Sequence, residues 1–529
     1  MIGIIANPSD HGVVAEFFEL FKTGWEVFRS GKQYDVVISH GWISLDEIDA
    51  KTVVLYGGRP LPHEVESSEV LASGGECKIL RYHDLQLPIY GNAVVFPSRQ
   101  QSLLNGAESG QPASYSKNDD GRTVLRVGYD LFSEVRSLLT KGQPSAQASK
   151  PTLEIHIAVL RELLLLYGAP LVEVPPVPEG YKFIACLTHD MDHPSLRAHK
   201  FDHTVFGFVY RAIFGSVANL MTCRGTLRQV LRNWWAAVKL PLVHLGIVRD
   251  FWLDFTRYIE LEEGHPSTFY LIPFKGERGH LGKGLAPKRR AAGYDVGALE
   301  IEWQNLRAAN CEIALHGIDA WNDATHARAE SERIKQITGG ASRGVRMHWL
   351  YFDDTSPATL ESAGFNYDSS VGFNNAVGFR AGTTQVYKPL TCSHLLELPL
   401  HIMDTALFYP TYLNLRPNEA MDQVRAIIAN AVRFGGCVTI NWHDRSISPE
   451  RCWDGFYKEL VRELEENGAW FATAEEVVSW FRKRRAVTFE TKSSVTEDGS
   501  GSLQADSLPA LQCRVHNADD ASRLAAHVS

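Results

Sequence analysis

The chain is predicted to be an α/β protein of two successive parts, a small α/β domain followed by a distorted (β/α) barrel. Three observations carry this. Short apolar runs alternate with helix-spaced segments along most of the 529 residues, the pattern of a largely parallel sheet. A proline-rich stretch, VEVPPVPEG at 172–180, divides two such series. Beyond it, polar clusters recur where apolar runs end, as they do on the C-terminal rim of a barrel.

The first part, 1–150, carries runs at Ile2–Ala6, Asp35–Ser39, Thr52–Tyr56, Lys78–Tyr82 and Ala93–Phe96. Each reads as a strand. Tyr129–Leu139 places Leu131, Phe132, Val135, Leu138 and Leu139 at helical spacing. Residues 101–122, rich in Ser, Gly, Asn and Asp, read as a surface loop, and 141–151 as a linker. With neither G-x-G-x-x-G nor a P-loop, nothing here points to a nucleotide. Residues 151–180 add a leucine-rich helix and the proline-rich boundary.

The second part, 181–485, opens with YKFIACLTHDMDHP. Its apolar run reads as an interior strand leading into a site. Burying two carboxylates and two imidazoles there is costly unless they are paired or bound to a cation. Asp190 and Asp192, at i and i+2, share one face of an extended chain. A helical insertion follows at about 200–262. Within it Phe206–Met221 is apolar but short of the roughly 20 residues a spanning helix needs, and Arg211 interrupts it. A core or lid helix is expected, with peripheral membrane contact as the alternative.

Further strands are expected at Ser267–Ile272, Cys311–Leu315 and Gly436–Trp442. Ser448 and Pro449 look like the N-cap and first residue of a helix carrying Trp453, Phe456, Tyr457, Leu460, Val461 and Leu464. A last helix spans about Ala474–Arg484. The tail, 486–529, is polar, with weak alternation suggesting a few strands.

Composition bounds the function. A net charge of -9 argues against a nucleic-acid surface. Eight scattered cysteines without a C-x-x-C pair suggest reduced thiols. The first residues, MIGIIANPSDHG, lack a basic region and a long apolar run, so a cytoplasmic location is expected. Oligomeric state is not legible.

The polar clusters, taken in order, resemble the motifs of the polysaccharide deacetylase superfamily, the NodB-homology domain of carbohydrate esterase family 4. The resemblance covers about 181–480. THDMD (188–192) resembles the first motif in a D-x-D version, and EIALHG (312–317) the second. GVRMHW (344–349) resembles the arginine motif, YDSSVGF (367–373) the fourth and TINWHD (439–444) the last. The resemblance implies a barrel of deacetylase type and a metal-dependent hydrolase acting on a non-peptide C–N bond. The expected substrate is an acetylated sugar or glycan precursor. It implies Asp190 as general base, His443 as general acid, and Arg346 orienting the base. Asp192 and His316 would ligate a divalent metal, Zn first, with Co, Mn or Ni as alternatives.

The departure lies in the second motif. The family carries a second histidine four residues on, where this chain has Ala320. Asp319, at i+3, is the expected replacement ligand, with His326 and His203 as further candidates. The competing expectation makes Asp319 a helix N-cap. Arg380, Trp442 and His348 are expected to face substrate. Two other readings stay open: a divergent hydrolase of small non-sugar amides, with or without metal, and a non-catalytic carbohydrate-binding or scaffold protein.

Overall fold

The structure is a computed structural model describing residues 1–516 except 42–43, 62–63, 65–77, 98–101, 120, 170, 201, 223, 341–342, 491–493 and 498–507. Cys77 and Cys223 lie outside the described residues. The chain forms two compact units. The first holds 1–179, 379–390 and 480–529; the second holds 180–378 and 391–479. The chain thus returns twice to the first unit, which contiguous blocks of sequence do not convey.

In the first unit, strands Ile2–Ile5 (β1), Trp25–Val27 (β2), Tyr34–His40 (β3), Ala50–Tyr56 (β4), Ser114–Asp119 (β5) and Arg122–Val127 (β6) form one sheet. Its order is β2-β1-β3-β4-β6-β5. All pairs are parallel except the β5–β6 hairpin. Helices His11–Phe21 (α1), Leu131–Thr140 (α2) and Thr152–Leu166 (α3) belong to the same unit. The reading of 101–122 as loop is corrected by β5. That strand lies on the sheet edge and buries only Ser114 and Tyr115, so its sequence need not be apolar. Ala93–Phe96 is not a strand; Ala93 makes an isolated bridge to Tyr129. Ile79–Tyr82 pairs antiparallel with Leu85–Pro88 and Asn105–Gly106 in a separate sheet. Nor is 141–151 a loose linker. The Gln143 amide accepts from Tyr90 Oη at 2.9 Å and donates to the carbonyls of Gln147 and Lys150, both at 2.9 Å. In the tail, Val487–Glu490 pairs with Ser494–Glu497, and Arg514–His516 with Leu171–Glu173.

The second unit is built on strands Phe183–Met191 (β7), Ser267–Leu271 (β8), Glu312–Gly317 (β9), Gly344–Met347 (β10), Tyr367–Asp368 (β11), Leu396–Glu397 (β12), Ile402–Met403 (β13), Cys437–Asn441 (β14) and Ala469–Phe471 (β15). Among the described residues all their pairings are parallel. The order is β12-β11-β10-β9-β8-β7-β14-β13, with β15 beside the first residues of β7. Only residues 398–401 join the two edge strands. Eight strands laid flat would set those edges roughly 34 Å apart, whereas five residue steps reach at most about 17 Å. The sheet therefore curls into an incomplete barrel. All nine residues of β7 are buried, as a strand covered on both faces requires.

The insertion is helical. His203–Met221 (α4) runs continuously through a π-turn at Arg211–Gly215, and Leu227–His244 (α5) starts with a Thr226–Gln229 capping box. The core-helix expectation is corrected here: only 28% of the apolar window in α4 is buried. The helix expected from Ser448 starts instead at Asp454, because Cys452 takes a left-handed φ of 57°.

Candidate active site

The strand ends of the second unit gather Asp190, Asp192, His316, Arg346 and His443. Asp190, the penultimate residue of β7, is buried. Its Oδ1 accepts from Arg346 Nη1 at 3.0 Å and its Oδ2 from Asn441 Nδ2 at 2.7 Å. The Asp190 N–H donates to Asn441 Oδ1 at 3.2 Å. Burial pushes the Asp190 carboxyl up, but the charges of His316 and Arg346 hold it below the ordinary aspartate value.

Arg346 on β10 is fully enclosed. Beyond Asp190, its guanidinium donates to Thr188 Oγ1 at 2.6 Å, Ser369 O at 3.0 Å and Ser369 Oγ at 2.9 Å, and lies 4.4 Å from the Tyr270 ring centroid. Such a planar fork fixes the carboxylate in position as well as in charge.

Two residues on, Asp192 Oδ1 is buried and has no hydrogen-bond partner among the described residues. It stands 3.2 Å from His316 Nε2 and 3.1 Å from His348 Nδ1, and those nitrogens are 3.0 Å from each other. His316 Nδ1 donates to the Arg346 carbonyl at 2.9 Å, which turns Nε2 toward Asp192 and His348. Three ligand-capable atoms thus converge. Ligands of a tetrahedral centre at about 2.0–2.1 Å would stand about 3.3–3.4 Å apart, so the donor set fits a small divalent ion within a few tenths of an ångström. Burial raises Asp192, yet the neighbouring His348 charge holds it well below its usual value.

His348 was expected at the substrate and Asp319 at the metal; the cluster holds His348 and not Asp319. Asp319 Oδ1 accepts from the His280 N–H at 2.7 Å, and its Oδ2 from His280 Nδ1 at 2.8 Å. Gly279 takes φ +63°, and a Cβ there would lie 2.5 Å from Asp319 Oδ1. Asp319 is therefore committed to the 279–280 loop. It is not a cap either, since Asp323 caps Ala324–Thr338. His326 is exposed and paired with that Asp323. His348 reaches the cluster because it lies two residues beyond Arg346, and extended backbone turns i and i+2 to one side.

Opposite Asp192, His443 Nε2 is 4.0 Å from Oδ2. Its Nδ1 donates to Asp404 Oδ1 at 2.6 Å, and its backbone N–H to Asp404 Oδ2 at 2.7 Å. Burial would lower the imidazole, but the Asp404 charge and hydrogen bond raise it to about 10. Asp404, just after β13, was missed by sequence reasoning. Its signal was the same as elsewhere, a carboxylate ending an apolar run, in HIMD at 401–404. Asn441 was missed inside the quoted TINWHD.

Of the other expected contacts, Trp442 is corrected. It has no exposed surface and stacks on Phe456 and Tyr457 with centroids 5.8 and 5.0 Å away. Arg380 belongs to the first unit, where its carbonyl accepts from the Gln143 N–H at 2.7 Å. Trp349, next to His348, is 36% exposed, and the Arg289 guanidinium lies over its ring at 5.7 Å from the centroid. A cavity of about 490 Å³ begins at His193, next to Asp192, and is lined also by His199, Asp202, His203, Lys288 and Arg289.

No family model and no curated protein matches the chain. Among solved structures, it is similar to a Mycobacterium smegmatis protein assigned as a polysaccharide deacetylase, at 17% identity and TM-score 0.35, over 59% of this chain and 95% of that one. It is similar to the allantoinase PuuE at 12% identity and TM-score 0.37, over 58% and 92%. A Bacillus cereus polysaccharide deacetylase matches at 12% identity and TM-score 0.27, over 55% and 91%.

Proposed function

We propose that the second unit is a metal-assisted hydrolase that removes an N-acetyl group from a sugar or glycan precursor. The observation that carries this is the buried Asp192 Oδ1, without a hydrogen bond among the described residues and 3.2 and 3.1 Å from two imidazole nitrogens, flanked by an anchored carboxylate and a charged imidazole. Asp192, His316 and His348 would hold a divalent ion, and this mixed imidazole–carboxylate set suits Zn²⁺. Such an ion polarises an amide carbonyl and acidifies water.

The chain's own groups supply the proton chemistry. Asp190, kept ionised by Arg346 and held in place by Asn441, accepts the proton of the attacking water. His443, kept cationic by Asp404, donates a proton to the departing nitrogen. Opposite protonation states at neighbouring groups are what acid–base catalysis requires. The acetylated-sugar assignment rests on the motif resemblance in 181–480, with Trp349 as a candidate stacking face.

The test is a substrate profile of the metal-loaded protein against N-acetylated sugars, glycan fragments and small cyclic amides. Acetate release from the sugars, lost in Asp190→Asn and His443→Ala with folding unchanged, is the expected result. Turnover of cyclic amides alone would replace the substrate class. No turnover of any kind would favour a binding protein.

A further inference from the structure

We infer that the helical insertion, α4 with α5, is a docking surface for an anionic lipid bilayer, lying on the membrane rather than crossing it. This inference is independent of the chemistry proposed above. Each helix is apolar on two sides. The inner sides meet: Val205, Phe208 and Ala212 of α4 form one buried cluster with Ala236 and Val243 of α5 and with Trp252. Among the described residues, nothing buries the outer sides.

On α4, Phe206, Tyr210 and Phe214 follow one another at four-residue intervals and are 61%, 65% and 64% exposed. On α5, Leu227, Leu231, Trp234, Val238 and Leu242 are all exposed, at the spacing of a single helical stripe, with Trp235 beside them. Trp234 Nε1 donates to the Ile213 carbonyl at 3.4 Å, linking the two outer faces. Contiguous exposed apolar surface of this kind marks an interaction site.

Charge selects the occupant. Residues 203–249 contain Arg211, Arg224, Arg228, Arg232, Lys239 and Arg249 and no Asp or Glu, in a chain whose net charge is -9. Of these, Arg224, Arg228, Arg232 and Arg249 are exposed. Arg232 pairs with Asp454 at 3.0 Å and Arg249 with Asp254 at 3.2 Å, while Lys239 lies 5.0 Å from the Trp235 ring centroid. A second copy docking here would set like charges against like. An anionic bilayer satisfies both properties, taking the apolar and aromatic side chains at the acyl boundary and the cations at its headgroups. Crossing would strip α4 of its packed inner face and carry Arg211 into hydrocarbon, so the helix pair lies in the interface.

Flotation of the full chain with phosphatidylcholine vesicles, and with vesicles of about one-third phosphatidylglycerol, tests this. Binding to the anionic vesicles is expected, reversed by about 0.5 M salt. It should weaken about 10-fold in Arg228→Glu/Lys239→Glu and in Phe214→Ser/Trp235→Ser, with circular dichroism melting unchanged. Equal failure to float with either vesicle would overturn the inference. So would retention after alkaline carbonate, which would mean a spanning helix. A dimer in light scattering that dissociates in Phe214→Ser/Trp235→Ser would assign the face to a second copy instead.

Discussion

Asp404 accepts both the Nδ1–H and the backbone N–H of His443, at 2.6 and 2.7 Å, so one carboxylate fixes that imidazole's orientation and its charge. Burial opposes the charged form, and Asp404 more than offsets it, raising His443 to about 10. Asp404 itself is held below its usual value by the same pairing, against burial.

Replacing Asp404 by Asn keeps the shape and removes the charge. His443 then loses its cationic form at lower pH. If it is the general acid, activity falls as pH rises through its pKa. The alkaline limb of the kcat profile should therefore move to lower pH by at least about one unit in Asp404→Asn, with kcat down about 10²-fold at neutral pH. An unmoved limb would remove His443 from that role.

Arg346→Lys keeps the charge and loses most of the fork to Asp190, Thr188 and Ser369. Left short of partners, the buried Asp190 should cost about 2–4 kcal/mol of stability and raise its own pKa. Denaturant unfolding reads the first. The acid limb of kcat/KM, moved to higher pH, reads the second.

These two predictions draw on features of unequal legibility. Asp190, Asp192, His316, Arg346 and His443 were readable because each ends an apolar run, and parallel strands bring their C-terminal ends together. The place of His348 beside Asp192 and His316 was not read, because the histidine missing after His316 was sought along the same loop. His348 arrives from just beyond the next strand, and nothing in local spacing shows that. Trp442 was misread because an aromatic at a strand end looks the same in sequence whether it faces a cleft or stacks on Phe456. The polar edge strand Ser114–Asp119 escaped notice because burial, the source of the apolar signal, is largely missing there.

In the first unit, Glu173 is buried and pairs with Arg161 at 3.0 Å and His516 at 2.7 Å. Burial raises its carboxyl, but the Arg161 charge and the His516 bond lower it to about 2. A depressed folded-state value stabilises above the unfolded pKa near 4.5. That contribution, about 3 kcal/mol, is lost as pH falls from about 4.5 toward 2. Urea unfolding of wild type and Glu173→Gln across this range should show the mutant less stable at neutral pH, with the difference shrinking in acid.

The central claim is that Asp192, His316 and His348 form one metal centre. Elemental mass spectrometry on untagged protein, purified without chelators, tests it most directly in wild type, His348→Ala and Asp319→Ala. The account predicts about one divalent ion per chain in wild type and in Asp319→Ala, and its loss in His348→Ala, where one of three ligands is gone. An ion retained in His348→Ala and lost in Asp319→Ala, or none bound to wild type even after loading, would contradict it.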